Sequence, residues 1–409
     1  MLLFLDKSLD LEKSYEQLYE ALGFRHTLHK YVFSKNPYEV IEALSFAMVN
    51  GLEIVLLDGD FSLSEIQNLG ISADNLAEEY FIEKPCNVSN NDEFVRWINR
   101  NSKLARIGIF TSGTAGRPKR IDHTLESLLR GIRVSENHRN DVWGFAYNIT
   151  HFAGIQVILQ AMMNENPIIN IFGKNAQQAE YLLFQYGCTC ISATPTYYKS
   201  FILNSPGENS MVRNVTFGGE KFSNHLLEKI NAKYPNAKIR NVYASTEVGS
   251  LISGNGEAFS IPSNLKHLIR ISPNNHLLIH KNLVTHMRFN GEWYDTNDTV
   301  VLNEDGSFQI QNRDSDFINV GGYKVNPLEV EDVISTVNGV VDVTVYGRKN
   351  SVIGSILVAD VVVAQNEDEK EIKMRILGRL RNELQDFKIP RLIKFVDAVN
   401  KSRTGKKVR

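Results

Sequence analysis

Short apolar runs alternate with amphipathic stretches along most of the chain, the pattern of an α/β fold built on a mostly parallel sheet. Leu11 to Leu22 and Pro37 to Val49 carry helical periodicity. Ile54 to Leu57 is a continuous apolar run ending at Asp58 and Gly59, as a buried strand entering a turn would. Ile107 to Phe110 predicts the next strand, followed by a loop rich in Gly, Ser and Thr and a helical stretch from Asp122 to about Val134. Further strands are predicted near Val142 to Tyr147, Ile168 to Phe172, Thr189 to Ser192, Val215 to Phe217 and Ile239 to Val242. From about Ala258 to Gln311 helix formers become scarce and turn signals appear at Asn290-Gly291 and Glu304-Asp305-Gly306, which marks a β subdomain.

After Arg313 the pattern changes again. A strand (Phe317 to Val320), a helix (Pro327 to Val337), two strands (Val341 to Tyr346 and Ile353 to Val363), a helix (Glu367 to Leu384) and a strand (Leu392 to Val396) predict a compact α+β unit. The expected boundary lies near Asp314 and Ser315, giving a large domain, 1–313, and a small one, 314–409.

Length and composition narrow the classes. The 409 residues, 43% of them hydrophobic, suffice for two or three domains with a large core. A net charge of −2 supplies no basic face for nucleic acid. The longest apolar candidate, Ile353 to Ala364, is too short to cross a bilayer, is interrupted by Asp360 and reads as a strand. The amino terminus has neither a basic n-region nor a long h-region, so a cytoplasmic protein is expected. Cys86, Cys188 and Cys190 lack zinc-site spacing and are expected to be buried thiols. The last ten residues hold Lys401, Arg403, Lys406, Lys407 and Arg409 with no acid, so the tail is +5 and the remainder −7.

The chemistry begins at Thr111-Ser112-Gly113-Thr114-Ala115-Gly116-Arg117-Pro118-Lys119, directly after a predicted strand. Two glycines and three hydroxyl residues let backbone N–H groups approach phosphate oxygens, and Lys119 adds a point charge. Such a composition alone also fits a flexible connection, and the Walker A spacing is absent. Taken as a string, however, the segment resembles the phosphate loop of the adenylate-forming superfamily of acyl-CoA and aryl-CoA ligases, luciferases and peptide-synthetase adenylation domains.

The other motifs of that family follow in order. Tyr243-Ala244-Ser245-Thr246-Glu247 resembles its aromatic-Gly-x-Thr-Glu element, which implies a ring against adenine, a Thr hydroxyl on the α-phosphate and a Glu on Mg²⁺. Tyr294-Asp295-Thr296-Asn297-Asp298 is similar to the Thr-Gly-Asp element, so Asp298 is expected to accept the ribose hydroxyls. Asn297 replaces Gly there, which is tolerable at positive φ. Asn312 to Val325 resembles the long motif joining the two domains: Arg313 matches the Arg that contacts ribose or phosphate, and Gly321 and Gly322 match the Gly turn. Gly is usual in the family where Asn312 stands, and Asp or Lys at the hinge position of Ser315. Ser402-Arg403-Thr404-Gly405-Lys406 resembles the terminal Thr-x-x-Gly-Lys, with Ser402 in place of Thr, so Lys406 matches the lysine that contacts the acid's carboxylate and the α-phosphate.

The same resemblance places Gly219 and Glu220 beside adenine and forms the acid pocket from His151, Phe152, Ala193, Gly218 and Ser250, with His151 beginning a His-x-x-Gly. The pocket segments are apolar or small and carry no obvious Arg or Asp, which favours a simple aromatic or aliphatic carboxylic acid. The implied fold is a large α/β domain, mostly parallel sheets flanked by helices plus a β subdomain, carrying a small mobile α+β domain. The implied reaction uses ATP and Mg²⁺ to make an acyl-AMP, then passes the acyl group to the phosphopantetheine thiol of coenzyme A or an acyl carrier protein. Transfer to a non-thiol acceptor and a degenerate ATP-binding scaffold subunit are the alternatives. Family members usually carry more chain before the phosphate loop. The flank expected here is therefore shortened, with an apolar face for a second copy of the chain or a partner to cover.

Overall fold

The computed structural model describes residues 1–111, 119–218, 220, 224–254, 256–285, 289, 291–313, 317–320, 323–350, 354–364, 367–400 and 407. The run Glu53–Leu57 lies in a four-stranded sheet, parallel to Tyr31–Phe33 on one side and to Arg106–Thr111 on the other. Helix Pro37–Asn50 covers it. Its amino terminus is set by Asn36, whose side chain accepts from the Tyr38 amide, and by Pro37. It ends at Gly51, where φ is +70°.

The largest sheet has eight strands. Six are parallel, in the order Lys238–Ser245, Asn214–Gly218, Cys190–Ala193, Trp143–Phe145, Ile168–Asn170 and Leu2–Asp6, and antiparallel strands Gly249–Gly254 and Leu11–Ser14 close the edges. Leu2–Asp6, Trp143–Phe145, Ile168–Asn170 and Cys190–Ala193 are buried almost throughout because helices such as Phe152–Met163 and Ala176–Gln185 pack against the sheet, whereas Asn214–Gly218 and Lys238–Ser245 alternate buried with partly exposed positions. The expected β subdomain is a five-stranded antiparallel sheet, ordered Ala258–Phe259, Phe308–Arg313, Trp293–Leu302, His276–His280, Ile269–Ile271.

The carboxyl-terminal residues build their own core. Val325, Val330, Ile334, Val343, Val345, Leu357, Ile372, Ile376, Leu380 and Ile393 are buried together, with every contributor at or beyond Ile318. The core lies between helices Pro327–Ser335 and Glu369–Glu383 and a sheet of Val340–Asn350, Gly354–Val363 and Leu392–Phe395. Among the described residues no helix is long and apolar enough to cross a membrane. Cys188 and Cys190 are buried, whereas Cys86 is half-buried and donates to the Val49 carbonyl at 3.2 Å.

Two expected helices are corrected. Within Leu11 to Leu22 the chain is first a strand, Leu11–Ser14, pairing back on Leu2–Asp6. The helix begins only at Tyr15, behind a capping box made by Ser14 and Gln17. Within Asp122 to Val134, strand Lys119–Thr124 precedes a short helix, Leu125–Leu129, capped by Thr124. Ile121 and His123 alternate inward with period two, and pairing with Arg106–Thr111 overrides the local helical preference.

Candidate active site

The expected phosphate loop is the connection of a β-hairpin. Thr111 and Lys119 are the last paired residues of its two antiparallel strands. Ser112, Gly113, Thr114 and Gly116 lie outside the described residues, as does the side chain of Thr111. Arg120 braces the hairpin's base, 2.6 Å from Glu53 and 2.7 Å from Asp122. Exposed Lys119 lines a cleft of about 1540 Å³.

Most of the other described site residues line that cleft. Tyr243, Ala244 and Ser245 end strand Lys238–Ser245, and Thr246 and Glu247 follow in the turn. The carboxyl ends of parallel strands are where an open α/β sheet leaves a crevice. Thr285 fixes the turn from outside: its amide donates to the Glu247 carbonyl at 2.8 Å and its hydroxyl to the same oxygen at 2.5 Å. From the five-stranded sheet comes Asp298, 5% exposed, whose Oδ2 accepts the Tyr243 hydroxyl at 2.6 Å. The aromatic and the carboxylate, 55 positions apart, are thus one unit. Asn297 has φ of +57°, the conformation its substitution for Gly requires. Arg313 faces Asp298 across the antiparallel ladder, and its side chain lies outside the description.

Gly218 ends its strand in close packing, where an added Cβ would come 2.7 Å from the Val242 carbonyl. Glu220 lines the cleft and turns to helix Pro195–Asn204. It accepts from the Thr196 amide at 3.1 Å and the Thr196 hydroxyl at 2.7 Å, a carboxylate at a helix amino terminus. Ala193 is corrected: it is not among the cleft-lining residues and packs into the core, while Ser192 and Thr194 line the cleft. Strand alternation sends successive side chains to opposite faces, so the neighbours face the cleft where Ala193 does not. Ser250, on the antiparallel edge strand, does line the cleft.

His151 and Phe152, at the start of helix Phe152–Met163, also line the cleft. The His151 Nε2 lies 3.5 Å from the Asp58 carboxylate, which also accepts from Asn148 Nδ2 at 3.1 Å and the Asp60 amide at 3.1 Å. Burial raises the Asp58 pKa, but His151 and these hydrogen bonds outweigh it and the net shift is downward. Gly154 completes His-x-x-Gly because a Cβ there would meet the Asn148 carbonyl at 2.3 Å. Behind Phe152 sits His123, fully buried, its ring centroid 5.4 Å from that of Phe152, with its pKa lowered to about 4 by burial. Asp58, Thr285 and Asn148 were not singled out from sequence. Asp58 carried the only usable signal, an acid ending a buried apolar run.

Gly219, Ser315, Gly321, Gly322 and Lys406 lie outside the described residues. Residues from the carboxyl-terminal unit, Phe317, Leu328, Glu331 and Lys407 among them, line the same cleft as Lys119, Tyr243 and Asp298.

Lys119, the Tyr243–Asp298 pair and residues of the carboxyl-terminal unit share one cleft, and the sequence-family comparison shows that the chain belongs to the AMP-binding enzyme family. The AMP-binding enzyme model matches residues 44–268, and the AMP-binding enzyme C-terminal domain model matches 329–406. Among its relatives, the 2-succinylbenzoate–CoA ligase of Listeria monocytogenes is 26% identical over 73% of this chain and 67% of the relative. The ATP-bound structure of MatB from Rhodopseudomonas palustris shares the fold with a TM-score of 0.74 at 18% identity, covering 99% of this chain and 94% of that one. A benzoate CoA ligase from Burkholderia xenovorans shares it with a TM-score of 0.75 at 17% identity, covering 100% and 95%.

Proposed function

We propose that the chain is an AMP-forming acid–thiol ligase that activates a carboxylic acid with ATP and transfers the acyl group to the thiol of coenzyme A. The supporting observation is the convergence on one cleft of Lys119 from the hairpin, Tyr243 to Glu247 from the eight-stranded sheet and Asp298 from the five-stranded sheet. The relatives' names, a 2-succinylbenzoate–CoA ligase and a benzoate CoA ligase, support an acid as substrate and coenzyme A as acceptor.

In the first half-reaction a carboxylate oxygen attacks the α-phosphorus, the bond to the β-phosphate oxygen breaks and pyrophosphate leaves. Tyr243 lies against adenine, Asp298 accepts the ribose hydroxyls with Arg313 beside it, and Thr111 to Lys119 cradle the leaving phosphates. Gly219, Glu220, Ala244 and Ser245 form the rest of the nucleotide wall. Thr246 reaches the α-phosphate, and Lys406 offsets the repulsion between the two anions. The Glu247 carboxylate on the cleft wall is a hard oxygen donor of the kind Mg²⁺ uses singly when phosphates complete its shell. When bound, the ion neutralises phosphate charge. In the second half-reaction the thiol sulfur attacks the acyl carbon, AMP departs with the bonding pair and the thiol proton passes to solvent. The small domain, 314–409, turns about Ser315 between the two steps, withdrawing Lys406 and bringing up Gly321 and Gly322. That two-body division is supported by the self-contained core beyond Ile318.

His151, Phe152, Gly218 and Ser250 bound the acid pocket, and its aromatic wall favours an aromatic or aliphatic acid. A carrier protein's phosphopantetheine presents the same thiol and is the second acceptor to try. Three free cysteines suit the reducing cytoplasm. Exposed Phe24 and Phe81, 76% and 72% accessible beside the small ribbon Thr27–His29 with Glu79–Phe81, support a homodimer through this flank.

The test is to supply ATP, Mg²⁺, coenzyme A and an acid, and to follow AMP and thioester together. Lys406→Ala is expected to lose about 100-fold or more in adenylation while keeping thiol attack on supplied acyl-AMP. Equal loss in both halves would remove Lys406 from its role. AMP formation without thioester would favour a non-thiol acceptor, and neither product with any acid a scaffold.

A further inference from the structure

Lys407, the next residue after Lys406, is a buried cation. Its side chain is 6% exposed, and its ammonium lies 2.7 Å from Asp342 Oδ1 and 3.9 Å from Glu331 Oε2. It also donates to the Val343 carbonyl. Both carboxylates are withdrawn from solvent, 12% exposed for Asp342 and 3% for Glu331. Each is also fastened to the backbone of the carboxyl-terminal sheet: Asp342 accepts from the Val343 amide at 2.9 Å, and Glu331 accepts from the Val345 amide at 2.9 Å.

Burying an ammonium is unfavourable unless it is paired, so these contacts are what holds this part of the basic tail in place. The four-carbon stem of lysine lets one ammonium reach both acids. Lys407 and Glu331 both line the cleft. So does Lys199 of helix Pro195–Asn204, which packs against strand Val340–Asn350 from the larger body. Burial and the nearby charge of Lys407 both lower the Lys199 pKa, in keeping with two cations meeting at this seam.

We propose that Lys407 is a positioning residue: its ion pairs with Asp342 and Glu331 fix it on the carboxyl-terminal unit, and the adenylation step assigned to its covalent neighbour Lys406 depends on that fixation. The inference rests on the proposed adenylation role of Lys406 and on the contacts of Lys407 itself. Both acids belong to the unit that carries the tail, so the clamp travels with that unit when it turns. A structural cation with no such duty would affect both half-reactions alike. A positioning one affects the step in which Lys406 acts, because a displacement near 1 Å is felt as about 100-fold in rate.

The experiment uses the full chain as wild type, Lys407→Met, Lys407→Arg and Asp342→Asn, with two readouts. Hydrogen exchange of the peptide spanning 397–409 is expected to accelerate at least about tenfold in Lys407→Met and Asp342→Asn as local opening becomes easier, with Lys407→Arg closer to wild type. Pyrophosphate exchange with 2-succinylbenzoate or benzoate is expected to fall about 30- to 100-fold in Lys407→Met, while thioester formation from supplied benzoyl-AMP and coenzyme A stays within about threefold. Tail exchange indistinguishable from wild type, or equal loss in both half-reactions, would overturn the proposal. Should Lys407→Met fail to fold by circular dichroism, Asp342→Asn carries the same two expectations. A wild type inactive with both acids counts against the activity reading, and the hydrogen exchange then decides the clamp by itself.

Discussion

Tyr243 and Asp298 show how much can rest on a single pair of side chains. A buried phenol donates at 2.6 Å to a buried carboxylate, and charge-assisted bonds of this kind contribute about 1.5–3 kcal/mol. Tyr243→Phe keeps the ring for stacking and removes that donor. It is expected to raise the KM for ATP about tenfold, the equivalent of 1.4 kcal/mol, with a smaller effect on the KM for the acid. Steady-state kinetics with each substrate varied in turn would check this, and an unchanged KM for ATP would separate the pair from nucleotide binding. Each residue was legible by its motif, but their bond was not, since 55 positions separate them and only the meeting of two sheets joins them. Asn297 was readable further, because an Asn where Gly is usual points to positive φ, and φ is +57°.

At the scale of elements, the contact between strand Lys119–Thr124 and helix Phe152–Met163 joins the two segments proposed to serve the phosphates and the acid. His123 is the strand's contribution, buried against Phe152 with a pKa of about 4 against an ordinary 6.5. The unfolded chain therefore binds this proton between pH 6.5 and 4 and the folded chain does not. Stability rises with pH across that window: the contribution is complete above 6.5 and lost as pH falls towards 4. Its size is about 3 kcal/mol. Urea midpoints at pH 4.5 and 7.5 are expected to differ more for wild type than for His123→Leu, and equal differences would show that another group governs the acid limb. Gly154 acts at the other end of the contact. Its Cβ would strike the Asn148 carbonyl, so Gly154→Ala is expected to cost about 1–3 kcal/mol and to raise the KM for the acid by moving His151. Thermal melts alongside acid titrations would test both effects.

Sequence periodicity located most elements and misread two for a common reason. Leu11–Ser14 and Lys119–Thr124 have helix-compatible sequences, yet each is captured as a strand by a partner already in place, Leu2–Asp6 in one case and Arg106–Thr111 in the other. The pocket error at Ala193 has a different origin. Motif position fixes a segment to within a residue, whereas side-chain direction reverses at every residue of a strand.

For the whole molecule, parallel-strand ends, an antiparallel sheet and a carboxyl-terminal unit with its own core share one cleft. Alternating apolar runs foretold the layers, and the ordered motifs pointed to strand ends that line this cleft. Asp58 and Lys407 were beyond that reading because a turn aspartate and a tail lysine are usually solvated, and only tertiary burial turns them into a partner for His151 and an anchor for the tail. This cleft is proposed to join a carboxylic acid to the α-phosphate of ATP. Exchange of labelled pyrophosphate into ATP, measured with and without 2-succinylbenzoate or benzoate, tests it most directly. Exchange is expected to depend on an added acid and to be abolished by Asp298→Ala. Exchange that proceeds equally without any acid, or none at all from folded protein that binds ATP while a broad panel of aromatic and aliphatic acids is offered, would contradict it.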